Sequence, residues 1–193
     1  MGPCKSTAGV HETGKKIGAF KNADEMVEFE KLFPAESGTK SLLSKHLTKE
    51  VWEEYKDQSD DMGVSFKTCI FSGVKNLDSG VGLYAGSHSS YSKFNKLFDP
   101  VIEAYHGHKP GALHRTDMTA DGLENSVFSE ADSARINSTR IRVGRNLAGY
   151  PLGPGVTKEQ RLEIMNKVVE ACNTFEGDLK GTFYPLEGMD KAT

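Results

Sequence analysis

Four of the six arginines in this 193-residue chain, Arg135, Arg140, Arg142 and Arg145, fall between positions 135 and 146, and no arginine precedes Arg115. The guanidinium fork is planar, always charged and able to grip a phosphate or carboxylate through two parallel hydrogen bonds, so the cluster is a candidate oxyanion site. Thr139, Ile141 and Val143 alternate with Ser138, Arg140 and Arg142. That is the period of a strand with one apolar and one polar face, and it turns two guanidiniums the same way.

A second stretch able to do chemistry is Asn76-Leu-Asp-Ser-Gly-Val-Gly-Leu-Tyr-Ala-Gly86. It contains Gly80-x-Gly82 but follows a helical pattern and lacks the third glycine of a dinucleotide-binding turn, and the chain has no Walker A sequence. The backbone N–H groups at Gly80, Val81 and Gly82 are free to approach a small ligand closely, with Tyr84 supplying a hydroxyl. A plain interhelical turn reads from the same residues. His106, His108, His114 and Asp117 invite a zinc reading, but their segment carries Pro110 and Gly111, shows no regular period and has no cysteine nearby. A linker with solvated or capping histidines fits that composition better than a metal centre, and no side chain of the chain is assigned to a metal.

These residues need a scaffold, and the length suffices for a substantial core in one or two unequal domains. A net charge of -3 and a pI near 6.1 give no field that would draw the protein onto a nucleic acid or an anionic membrane, so any basic site is local. Cys4, Cys69 and Cys172 are odd in number and widely spaced, and the latter two lie in apolar runs. They read as reduced core thiols of a cytoplasmic protein. No apolar run reaches the length of a membrane span and no secretory signal opens the chain. Met1-Gly-Pro-Cys-Lys-Ser6 fits the bare N-myristoylation pattern, although Pro3 disfavours it, and an unstructured arm over residues 1–21 is the expectation.

From Asn22 the spacing of Met26, Phe29, Leu32 and Phe33 predicts a capped helix stopped by Pro34, followed by short helices near 41–46 and after Thr48. Phe66, Cys69, Ile70 and Val74 mark another. Residues 89–106 step helically with a kink expected at Pro100. Beyond a linker over 107–134 the texture changes to strand, helix, strand. The arginine strand comes first; then Thr157-Lys-Glu-Gln160 forms a capping box before an apolar face of Leu162, Met165, Val169, Cys172 and Phe175; then residues 178–184 alternate as a second strand. Two strands and one helix cannot close a core by themselves, so the pattern reads as truncated.

In this order the motifs resemble the phosphagen (guanidino) kinases, and the arginine kinase subfamily most. Leu77-Asp-Ser-Gly-Val-Gly-Leu-Tyr84 is similar to the family's guanidino-specificity loop in its compact form. Leu97-Phe-Asp-Pro-Val-Ile-Glu103 with Tyr105-His-Gly107 resembles its helix and exit. Ser138-Thr-Arg-Ile-Arg142 with Gly144-Arg145 resembles its nucleotide-binding strand, and Leu179 to Leu186 the next strand.

The resemblance implies an α+β protein. A small all-helical domain over 22–106 would lead through the linker into the start of an antiparallel-sheet α/β catalytic domain over 135–193. It also implies reversible transfer of the γ-phosphoryl group of MgATP to L-arginine, giving ADP and phosphoarginine, as a cytoplasmic energy buffer. Residue by residue, Ser138, Thr139, Arg140, Ile141 and Arg142 would contact ATP or ADP; Ser79, Gly80, Val81, Gly82, Leu83 and Tyr84 would hold arginine; Asp78 would fasten the loop across a domain interface. Mg²⁺ would arrive with the nucleotide. The family's catalytic carboxylates and reactive cysteine are expected beyond Thr193, so no turnover is expected from these residues alone. An apolar sheet face left uncovered would invite self-association or a partner. Two other readings stay open: a natural non-catalytic short form serving as a binding or structural module, and a kinase for another guanidino acceptor such as taurocyamine or glycocyamine.

Overall fold

The computed structural model describes residues 22–34, 38–121, 128–185 and 187–189. The proposed arm and its acylation pattern, and Leu186 at the end of the stretch that resembles the family's next strand, lie outside them. Asn22 caps as its position predicts, its side chain accepting from Asp24 N (2.9 Å) and Glu25 N (3.3 Å). The expected α-helix behind it is instead two 3-10 turns, Ala23–Glu25 and Phe29–Lys31. Apolar residues three apart fit a 3-10 period as well as an α period, and extended backbone at Met26 separates the turns so that Met26 and Leu32 are buried.

Five helices follow: α1 (Leu42–His46), α2 (Lys49–Tyr55), α3 (Phe66–Lys75), α4 (His88–Lys93) and α5 (Asn95–His106). Ser41, Thr48 and Ser65 cap the first three, each accepting from the N–H three residues on. In α3 the buried set Phe66, Cys69, Ile70, Gly73 and Val74 is a single face at helical spacing. Tyr55, Phe66 and Phe94 meet with ring centroids 5.1–5.4 Å apart, and Trp52 packs beside Phe66 at 6.4 Å. Leu43, Leu47, Val74, Leu97, Phe98 and Val101 extend this core.

The break between α4 and α5 falls at Phe94 (φ -111°, ψ 33°), not at Pro100, which sits inside α5. Pro100 leaves only the Lys96 carbonyl without its helical donor, and Lys96 lies on the exposed side, where water can replace it. Gly107, at φ +73°, ends α5 in the left-handed conformation.

The end of the expected linker forms α6 (Glu130–Ser133), and beyond it lies α7 (Lys158–Asn173), opened by the predicted box, in which Thr157 and Gln160 exchange side chain-to-backbone bonds of 3.2 and 3.0 Å. The two expected strands are not formed. Among the described residues the sole β pairing is an isolated bridge between Ser59 and Ser65; residues 136–146 lie outside regular structure and 177–179 make a 3-10 turn. A strand exists only with a ladder partner, and no described segment pairs with either stretch. The apolar face of α7 is likewise open, with Leu162, Met165 and, just past its end, Phe175 exposed. Cys172, read as core, is therefore on the surface, whereas Cys69 is fully buried as expected. No described helix is long and apolar enough to cross a membrane.

One segment ties the later chain to the helices. Leu152 N donates to Gly86 O (2.7 Å), Pro151 is buried, and Leu152 packs against the core. Gly155 lies so close to Val64 that an added Cβ would overlap its side chain.

Candidate functional site

Behind α3 the chain turns at Asn76–Ser79, where Ser79 N donates to Asn76 O (3.0 Å), and then runs back along the buried face of that helix. Four fastenings hold the returning loop. Gly80 O accepts from Leu42 N and Val81 O from Leu43 N, both at 2.9 Å. Gly82, at φ +78°, rests against Gly73 of α3. Tyr84 N donates to Cys69 O (2.9 Å). Gly86 N donates to Ser90 Oγ (3.0 Å).

The first fastening decides what the loop can bind. Leu42 and Leu43 belong to the first turn of α1, whose N–H groups have no partner inside the helix, and the loop carbonyls satisfy them. In a trans peptide the carbonyl and the following N–H point in opposite directions, and the described chain has no cis bond. Turning Gly80 O and Val81 O into α1 therefore turns the N–H of Val81 and Gly82 away from it. Among the described residues, no N–H from Gly80 to Leu83 donates a hydrogen bond. Gly80 is exposed, Val81 half-buried, Gly82 and Leu83 buried, so the row of donors runs from the surface inward. Such a row suits a carboxylate or another oxyanion. Asp78 and Tyr84 stand exposed at either end.

The far end of the loop rests on a buried carboxylate that its sequence context did not single out. Asp60 is 6 % exposed. Its Oδ2 accepts from Ser90 Oγ (2.6 Å) and Ser87 Oγ (2.7 Å), its Oδ1 from Val64 N (2.9 Å) and Met62 N (3.0 Å). Burial pushes its carboxyl up, but the donors from Ser90, Ser87, Val64 and Met62 together outweigh that and hold it below the ordinary aspartate range. Burial pushes the neighbouring Cys69 thiol up, so the group 3.9 Å from Ser90 Oγ is an uncharged core thiol.

Ser138, Thr139, Arg140, Ile141 and Arg142 are all exposed. Arg135 reaches Asp132 at 3.6 Å and Arg145 folds onto the Gly144 carbonyl at 2.7 Å, whereas neither Arg140 nor Arg142 makes an ion pair among the described residues. No hydrogen bond or ion pair joins this segment to the loop among those residues. The histidine region forms a separate concavity of about 290 Å³ lined by Asp99, Ile102, His108, Lys109 and His114 with their neighbours. Among the described residues no three His, Cys, Asp or Glu side chains converge as metal ligands.

Comparison with known proteins bears on the same residues. Residues 37–103 match the family model described as the ATP:guanido phosphotransferase N-terminal domain. The chain is 48 % identical over 155 residues to an arginine kinase of Anthopleura japonica, covering 80 % of this chain and 22 % of that protein. It is 46 % identical over 166 residues to the arginine kinase of Limulus polyphemus, covering 86 % of this chain and 46 % of that one. Among solved structures it is similar to a lombricine kinase (TM-score 0.68, 28 % identity, 83 % of this chain and 44 % of that one). It is also similar to the duplicated taurocyamine kinase of Schistosoma mansoni (TM-score 0.66, 28 % identity, 83 % and 22 %). The chain spans less than half the length of each of these relatives.

Proposed function

Since this chain carries the N-terminal portion of a phosphagen kinase, with the ATP:guanido phosphotransferase N-terminal domain at residues 37–103, we propose that its protein transfers the γ-phosphoryl group of ATP reversibly to the guanidino group of L-arginine. The P–O bond to ADP breaks, a P–N bond to the guanidino nitrogen forms, and that nitrogen loses a proton. Mg²⁺ belongs to the nucleotide substrate.

The observation that carries this reading is the loop whose Gly80 and Val81 carbonyls are turned into α1. Its unpaired N–H groups, from Gly80 to Leu83, receive the α-carboxylate of arginine and leave the guanidino end to reach the nucleotide; Ser79 and Tyr84 flank it with hydroxyls. Arg140 and Arg142 hold ATP phosphates, with Ser138, Thr139 and Ile141 completing the strand beneath the nucleotide in an antiparallel sheet domain beginning near residue 135. Asp78 fastens the loop across the interface between that domain and the helical one. Phosphoryl transfer asks mainly for positioning and for fixed positive charge on the nonbridging oxygens, which two guanidiniums and Mg²⁺ supply. The protein works in the cytoplasm.

Similarity to taurocyamine and lombricine kinases supports a second reading, in which the same donor row meets another anionic end. Calorimetric titration of the complete natural protein with MgADP and nitrate present separates them. L-arginine is expected to bind and taurocyamine, whose anion is a sulfonate, to bind weakly. The opposite order moves the substrate to taurocyamine, and no binding of any guanidino acid overturns the function.

A further inference from the structure

Of the five buried positions on the inner face of α3, only Gly73 has no side chain. Glycine is the poorest ordinary residue in a helix interior short of proline, so its presence there calls for a packing reason. A Cβ built on Gly73 would overlap the Gly82 carbonyl oxygen and lie 2.5 Å from the Gly82 Cα and 2.7 Å from its carbonyl carbon. All three are backbone atoms, so no flexible side chain could give way.

Helix geometry extends the effect by one turn. Side chains lean toward the N-terminus and cover the preceding turn, so a residue at 73 shades position 69 on the same face. The Cys69 carbonyl there receives Tyr84 N at 2.9 Å. The empty position therefore admits the Gly82 peptide and opens the acceptor that fixes Tyr84. From the other side Leu43 Cβ and Cδ2 stand 3.3 and 3.6 Å from where a Gly82 Cβ would lie. The loop is seated between α1 and α3 at the residue that follows its two inward carbonyls.

We propose that Gly73, which lies outside the loop, is a positioning residue for the loop's anion receptor: by carrying no side chain it sets how deep Gly82 sits and so where the N–H groups of Gly80 to Leu83 point. This rests on the reading above, that those groups receive the carboxylate of a guanidino acid. Displacing the row by the width of a methyl group weakens hold on the acid and leaves the nucleotide side untouched, because misplacement by about 1 Å suffices to change rates by up to about 10²-fold.

The test is steady-state kinetics of Gly73→Ala in the complete natural protein. The KM for L-arginine is expected to rise about tenfold or more while that for MgATP stays within about twofold, with far-UV circular dichroism unchanged. Gly153→Ala, at an open position with ordinary backbone angles, is the control and should alter neither KM. Leu43→Val trims the opposite wall of the seat that holds Gly82 and carries the test if the Gly73 variant does not fold; it should show the same selective rise. An unchanged arginine KM, or an equal rise for both substrates, overturns the role of Gly73. Absence of arginine binding by the unaltered protein overturns instead the function on which it rests.

Discussion

Arg142→Ala is expected to lower phosphoryl transfer from MgATP to L-arginine by about 10²- to 10³-fold and to leave thermal unfolding unchanged. The two halves of that expectation have one source. Arg142 is exposed and pairs with no acid among the described residues, so the described fold asks nothing of it. Its guanidinium is free for a ligand, and charge is demanded only when the phosphoryl oxygens arrive. Arg140, equally exposed and without an ion pair among the described residues, would share a face with Arg142 wherever the segment pairs as a strand and should respond similarly. Arg142→Lys keeps a point charge but loses the fork and should recover only part of the rate. The measurement is kcat at saturating substrates; a rate unaffected by removal of both guanidiniums takes them out of the mechanism.

Asp60→Ala should be the most damaging single change at the helical end of the site, destabilising the fold by about 3 kcal/mol. Four donors lose their acceptor at once: the hydroxyls of Ser87 and Ser90 and the N–H groups of Met62 and Val64. Urea unfolding of the two proteins at neutral pH measures the difference. The pH dependence has a defined sign. Asp60 is held below its ordinary pKa in the folded protein, so the stabilisation is complete above the unfolded carboxylate range near ~4 and is lost as pH falls through the lower, folded value. The gap between natural protein and variant should therefore narrow in acid. A gap that stays constant from neutral pH down to the acid transition would mean that the negative charge contributes nothing.

How much of this was legible beforehand depended on whether a residue's role is local. Asn22, Ser41, Thr48 and Thr157 act on N–H groups two or three residues away, and the inner face of α3 shows at helical spacing within ten residues. Those features can be read along the chain. Asp60 cannot, because its hydroxyl partners are 27 and 30 residues distant and its neighbour Asp61 is a surface residue of the same type. Gly73 did leave a signal, a glycine inside an otherwise unbroken helical run, but what it accommodates lies across the fold. The alternation from Thr139 to Val143 is a strand's pattern, yet the described segment has no regular structure. Whether it becomes a strand depends on a neighbour that none of the described residues provides. Residues 22–34 failed for a different reason, since a spacing of three satisfies two kinds of helix.

The inward carbonyls of Gly80 and Val81 also set which substitutions the loop can absorb. A receptor made of main-chain N–H groups carries its specificity in backbone conformation, and the side chains along it are read only for what they do to that conformation. Val81 could exchange for other residues of β preference, and Gly80, which has ordinary backbone angles and open space around it, for a small one. Gly82 could not, being at φ +78° and against α3. Drift at the first two positions with rigidity at the third would let the loop's surface diverge between proteins while the ligand contact stayed the same.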